Sequence, residues 1–304
     1  MILQKDYKYR VYGLEIGSEI EIPEFIVDKS IKKSPNQVRI CYGAMSEEIK
    51  TQIAEGRKSY MSSQDIWFHI DNIATYRITN GNLIEVEPCE NCDTQLMKIF
   101  VMCSCLGFIM IQRNKVAIHG GTVVMGNKAV VITGNRGAGK STLTTALRKK
   151  GYKFLADDVA ATTLIDRPMV QCGFPYQKLC EDAMDVLGYD KATCTSFEGD
   201  NKVKYIVPAL EDFQEEDTPL TAICEIVASD VEAVEIEAIK GQEKLQYILK
   251  NLYRSEFLPS LGVPTEYFKQ CVQIAKSVAF YKVKRPREGF TVAEQIRCIE
   301  EIVL

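Results

Sequence analysis

Apolar and polar positions alternate with period two through much of the first 95 residues, the spacing of half-buried strands. Residues 7–22 alternate around Gly13 and Gly17 until Pro23 stops them, and a polar interval covers 28–36. An apolar run at 38–43 (VRICYG) predicts a further strand, and 46–57 a short helix. Residues 66–70, 74–79 and 83–86 then read as a meander, with Asn80-Gly81 as a hairpin turn. The pattern changes at 94–113, where apolar residues dominate and a helix linking this module to the next is expected.

Beyond residue 116, strand-like and helix-like stretches alternate. Residues 128–133 (KAVVIT), 152–156, 159–164, 222–228 and 233–239 carry strand signals. Residues 141–149, 176–187, 242–252, 266–277 and 292–303 read as helices. Two polar, acidic stretches, 196–204 and 211–219, read as surface loops. The expected class is α/β (α+β), with a smaller β-rich module at 1–95 and a larger domain at 96–304. The first module carries no repeat or catalytic motif and is read as a recognition or packing unit.

Composition narrows the function classes. A chain of 304 residues holds one large domain or two ordinary ones, and 46% hydrophobic with 26% charged residues is a soluble, globular balance. A net charge of −4 gives no global basic field, so no nucleic-acid partner is expected. The most apolar run, 99–111, falls short of the roughly 20 residues that span a bilayer, so it reads as a buried helix and no membrane partner is expected. Eleven scattered cysteines and an opening without the basic-then-apolar order of a secretory leader point to reduced thiols and a cytoplasmic protein. Cys89, Cys92, Cys103 and Cys105 have a superficially zinc-like spacing. Zinc is declined, because Cys103 and Cys105 lie two apart inside the apolar run and do not share a helix face. His69 is read as structural.

The chemistry concentrates at 119–158. Residues 134–141 (GNRGAGKS) are a complete G-x-x-x-x-G-K-S phosphate loop between a strand pattern and a helix pattern. Gly134, Gly137 and Gly139 let backbone N–H groups, that of Ala138 included, close on phosphate oxygens, and the helix start adds positive potential. Lys140 would reach the β- and γ-phosphates, Ser141 would offer its hydroxyl to Mg²⁺, and Thr142 would bond a phosphate oxygen. Arg136 faces either the γ-phosphate or solvent. Asp157-Asp158 close a strand pattern, where ligands of open α/β sheets gather. Strand alternation would point the two carboxylates apart and give them different tasks. One would hold Mg²⁺ and the other would take a proton from an attacking hydroxyl. His119, followed by two glycines, is by itself a weak candidate. Lys178, Lys204, Arg254 and Arg285 would clamp phosphate or substrate, or serve as surface charges.

Taken together, His-Gly, a strand ending in the loop, a helix and G-Y-x-x-L-A-D-D resemble the HPr kinase/phosphorylase catalytic domain and the wider phosphoenolpyruvate carboxykinase-like group. The specific part covers residues 119–158. Weaker likeness at Tyr12-Gly13-Leu14, Gly173-Phe174-Pro175, Lys178-Leu179, Leu187-Gly188 and Lys204-Tyr205 resembles serine kinases encoded beside ribosomal peptides, lasso peptide precursors among them. The resemblance implies a mixed sheet around the phosphate loop, with Asp157 as catalytic base, Asp158 as a metal carboxylate and His119 as an active-site histidine. It also favours Lys204 as a substrate residue and carries an expectation of homo-oligomers. Thr142 stands where the HPr enzymes have Glu, and their Glu-Val-Arg-Gly-Leu-Gly-type stretch has no counterpart. Both departures argue against HPr as the acceptor.

The expected activity is therefore transfer of the γ-phosphoryl of ATP, with GTP left open, to a serine hydroxyl of a peptide or protein such as a ribosomal precursor peptide. Mg²⁺ is the expected cofactor. The alternatives are a small-molecule kinase of the same fold and a non-catalytic nucleotide-binding regulatory module.

Overall fold

The computed structural model of the chain describes residues 6–29, 37–199, 202–262 and 264–304. Residues 30–36 of the expected polar interval lie outside the described residues. The chain divides into two units, residues 1–115 with 256–264 and residues 116–255 with 265–304.

In the first unit the alternation at 7–22 becomes a hairpin. Strand Tyr7–Val11 pairs antiparallel with Leu14–Ser18, and the chain reverses at Tyr12 and Gly13, both with positive φ. The described strands form one mixed sheet whose middle pairs are parallel, Leu14–Ser18 with Gln37–Tyr42 and that strand with Leu83–Pro88. The meander follows as Asp65–Ile70, Ala74–Thr79 and Leu83–Pro88, turning at Asn80 and Gly81 with φ of 51° and 65°. His69 has the structural place expected of it, with Nδ1 2.8 Å from the Thr75 hydroxyl across the strand pair.

The apolar stretch is helical from Thr94 to Gln112, with a π-helical segment at Val101–Cys105. At 19 residues it is longer than its most apolar core, and by length and composition it is long enough to cross a membrane. Its side chains are instead largely buried. Phe100 and Phe108 pack on Phe68, Phe100 also meets Tyr76, and the Tyr76 hydroxyl donates to Met97 O at 3.1 Å. Those contacts place the helix in the first unit, which runs to Lys115. Cys103 and Cys105 are buried in the π-helical segment, Cys89 and Cys92 are half-buried before the helix, and none of the four is in a disulfide.

The second unit is built on a mixed sheet. Ala117–Met125 pairs antiparallel with Lys128–Thr133 on one side, and with Val159–Leu164 and Lys153–Ala156 in succession on the other. Lys128–Thr133 runs parallel to Thr218–Ser229, which continues through Ala279–Pro286 to Glu235–Ile239. The short strand Pro168–Val170 bridges Val159–Leu164 and Thr218–Ser229, so the pairings close a circuit around the sheet. Helices Lys140–Lys149 and Val292–Val303 pack on the sheet through Leu143, Leu147, Ile296 and Ile299 against Val130, Ile132, Cys224 and Val283. Each such fully buried aliphatic side chain contributes roughly 1.5–3 kcal/mol relative to exposure.

Two sequence expectations change here. Residues 176–187 are not one helix but strand Tyr176–Cys180 followed by helix Glu181–Leu187. Residues 196–204 are not a surface loop. They belong to strands Thr195–Gly199 and Lys202–Pro208, which join Tyr176–Cys180 in a separate three-stranded antiparallel sheet; residues 200 and 201 lie outside the described residues.

Candidate active site

The phosphate loop leaves the end of strand Lys128–Thr133, where Thr133 stands opposite Glu225 of the parallel neighbour. Gly134 has φ 135°, and a Cβ there would fall 2.5 Å from Ile226 O, so only glycine lets the loop turn directly over that strand. Helix Lys140–Lys149 begins after Gly139, and the Lys140 side chain curls back to donate to Gly134 O at 2.8 Å and Asn135 O at 3.2 Å. Burial holds the Lys140 ammonium below its ordinary pKa, with Asp158 and Asp157 opposing that shift. Arg285 does not face the Lys140 side of the loop. Its Nε donates to Ala138 O at 3.0 Å and braces the loop backbone.

The aspartate pair follows strand Lys153–Ala156. The pair does not continue the strand geometry. The Val159 N–H donates to Asp157 O at 2.7 Å, a three-residue turn centred on Asp158, whose φ is 65°. A left-handed φ at a non-glycine residue is costly and gathers at functional sites. Asp157 is buried, and its Oδ2 accepts the backbone N–H of Lys178 at 3.0 Å. Asp158 Oδ2 meets the ammonium of that same Lys178 at 3.0 Å.

Their titration separates accordingly. Burial pushes Asp157 up to about 6, against the lowering pull of Lys178. Burial also opposes ionisation of Asp158, but Lys178, His119 and Arg254 together outweigh it and hold that carboxyl below the usual range. Two adjacent carboxyls thus differ in environment in the way acid–base pairs require.

His119 lies on strand Ala117–Met125, opposite Val159. Its backbone N–H donates to Asn251 O at 2.8 Å, and the Thr133 hydroxyl lies 2.7 Å from its carbonyl. The ring Nδ1 is 3.2 Å from Asp158 O and 3.5 Å from Asp158 Oδ1. Burial keeps the imidazole pKa below its ordinary value, with Asp158 resisting and Lys140 and Lys178 adding to the effect. The following glycines have a packing reason: a Cβ on Gly121 would stand 2.6 Å from Thr144 Oγ1 of the loop helix.

The three-stranded sheet supplies the remaining wall. One face, with Leu179, Tyr205 and Val207, packs on Ala183 and Met184 of helix Glu181–Leu187. Gln177 on that face ties the sheet to the loop helix, its Oε1 accepting from Thr145 Oγ1 at 2.8 Å and Arg148 Nη1 at 2.9 Å. Alternate residues on the other face, Lys178, Cys180, Lys202 and Lys204, line a cavity of about 400 Å³.

That cavity brings together His119, Arg136, Gly137, Lys140, Ser141, Asp157, Asp158, Lys178 and Lys204. Gly139 and Thr142 line a second cavity of about 220 Å³ instead, with Arg285, Phe290 and Gln295, so Thr142 stands apart from Lys140 and Ser141. Gly134 and Ala138 line neither and act through the loop backbone. Arg254 lines neither of these two cavities, and its charge helps lower Asp158. Sequence reasoning missed Lys202 and Cys180; period-two spacing with Lys204 and Lys178 was the available signal.

Among the described residues no group of three or more His, Cys, Asp or Glu side chains could hold a metal by itself. The Ser141 hydroxyl and the Asp158 carboxylate, from residues lining the same cavity, are hard oxygen donors. They suit Mg²⁺, which takes one or two protein oxygens and completes its shell with phosphate and water.

Comparison with protein-family models finds no match, and comparison with curated proteins finds none. Among solved structures the chain is similar to the HPr(Ser) kinase/phosphatase from Coxiella burnetii, at 12% identity and a TM-score of 0.33, over 62% of this chain and 96% of that one. A likeness at that score carries no argument, so the chemistry rests on the chain's own residues.

Proposed function

We propose that the chain is a phosphotransferase that moves the γ-phosphoryl group of ATP to the hydroxyl of a serine in a peptide or protein, with ribosomal precursor peptides as the candidate class. The observation that carries this reading is the presence in one cavity of a phosphate-loop lysine, Lys140, and a buried carboxyl raised to about 6, Asp157. Such a carboxyl is a general base poised just below neutral pH.

In this reading the nucleoside lies along the second cavity, and the loop N–H groups, Lys140 and Arg136 meet the phosphates. Ser141 and Asp158 would hold Mg²⁺, which would supply charge neutralisation to the phosphates. Asp157 receives the hydroxyl proton on a carboxylate oxygen while the hydroxyl oxygen attacks phosphorus and the bond to the β-phosphate bridging oxygen breaks. Lys178 keeps Asp157 aligned through its backbone N–H. Positioning and electrostatics do most of the work.

The test is incubation of the purified chain with γ-labelled ATP, Mg²⁺ and serine-containing peptides. Label on serine is expected. Asp157→Asn should lower kcat by roughly 10²–10⁴-fold, and Lys140→Ala should abolish turnover. Full activity in Lys140→Ala, or ATP binding without transfer to any acceptor, would overturn the reading.

A further inference from the structure

The cavity beside the phosphate loop is lined by five cationic residues, Arg136, Lys140, Lys178, Lys202 and Lys204, against two carboxylates, in a chain whose net charge is −4. These cations come from two different elements. Arg136 and Lys140 belong to the loop, whereas Lys178, Lys202 and Lys204 belong to the three-stranded sheet. Lys204 stands opposite Cys180 in register, and the backbone N–H of Lys178, two residues before Cys180, holds Asp157. The lysine face is therefore built onto the strand that positions the proposed base. It is also separate from the cavity across the loop that Thr142 and Phe290 line.

A donor triphosphate is already met by the loop's N–H groups, Lys140 and Arg136. Lys178 is committed to Asp158. Lys202 and Lys204 project from alternate positions of one strand face, about 7 Å apart along the strand. That spacing matches alternate side chains of an extended segment laid alongside.

We propose that Lys202 and Lys204 select the acceptor, and that it is an acidic peptide: a serine with a carboxylate within one or two residues on either side. This rests on the phosphotransferase reading above and specifies its substrate class. The lysines act by recognition and touch neither the transferred phosphoryl group nor the proton.

The experiment compares one serine peptide in three versions, flanked by Glu, Gln or Lys, with the full chain, ATP and Mg²⁺. The Glu-flanked version should have a kcat/KM roughly tenfold or more above the Gln-flanked one, with the Lys-flanked one lowest. The double variant Lys202→Glu with Lys204→Glu should reverse that order through the KM for peptide, leaving the KM for ATP within about twofold. The milder Lys202→Gln with Lys204→Gln should flatten it, and a thermal melt checks that both variants fold. Equal use of the three peptides by the wild type, or variants that change the KM for ATP instead, overturns the acidic-acceptor proposal while leaving the kinase reading standing. No label on any peptide overturns both.

Discussion

Lys178 holds Asp157 with its backbone and Asp158 with its side chain: the N–H donates to Asp157 Oδ2 and the ammonium meets Asp158 Oδ2, each at 3.0 Å. One residue thus aligns a carboxyl that burial raises and charges a neighbour that it lowers. The two functions are separable, because only one of them needs the lysine side chain.

Lys178→Met keeps the N–H and removes the cation. Lys178 lowers the pKa of Asp157, so its loss should move the acid limb of the pH–rate profile upward from about 6. A profile of kcat/KM against pH for wild type and variant reads this directly. An unmoved limb would mean that Asp157 is not the titrating base.

In the wild type, kcat/KM should fall with one proton as pH drops through about 6, since the base must be ionised to work. Above that value the profile should be level until other groups titrate. Asp157→Asn should retain a small residual rate without that limb.

The same carboxyl should cost stability. Folded, Asp157 keeps its proton up to about pH 6, but unfolded only to about 3.8. Between those values the native state binds more protons, so stability falls as pH rises. At pH 7, Asp157→Asn should therefore stabilise the ligand-free chain, by up to roughly 3 kcal/mol, and the gain should shrink toward pH 4. Urea unfolding at both pH values checks it.

Gly121→Ala should destabilise by about 1–3 kcal/mol, because the new methyl meets Thr144 Oγ1 at 2.6 Å and Cγ2 at 3.0 Å. Adding Thr144→Ala should recover part of the loss, so the double variant is less damaged than the sum of the singles. Denaturant midpoints of the three variants supply the cycle.

ATP with Mg²⁺ should raise the melting temperature of the wild type, by the equivalent of roughly 2.7 kcal/mol at a hundredfold excess over Kd. Chelating the metal should shrink that shift. Lys140→Ala should remove it.

What was legible in the sequence is what is local. Strand, loop, helix and aspartate pair lie within forty residues, and Lys128–Thr133 and Val292–Val303 have the bounds their periods predict. Residues 176–187 misled because strand Tyr176–Cys180 and helix Glu181–Leu187 adjoin with no turn residue between them. Strands Thr195–Gly199 and Lys202–Pro208 were hidden for a different reason: a sheet with one polar face has too few apolar positions to distinguish it from a loop. Lys204 reaches the cavity only through pairing with Cys180, 24 residues earlier, and no local pattern carries that register. Thr142 lines the second cavity rather than that of Ser141, because adjacent helix positions face different sides, so neighbours in sequence there need not share a cavity.

The two-faced sheet also constrains how this protein can evolve. Its cationic side chains and its seam against helix Glu181–Leu187 alternate along the same strands. Substitution at positions 178, 180, 202 and 204 can retune what the cavity accepts without disturbing the seam. Inserting or deleting one residue within a strand exchanges the faces, driving lysines into the interior and Leu179 and Val207 into the cavity. Divergence of acceptor preference in descendants of this chain should therefore proceed by side-chain replacement at alternate sites, with strand length held fixed.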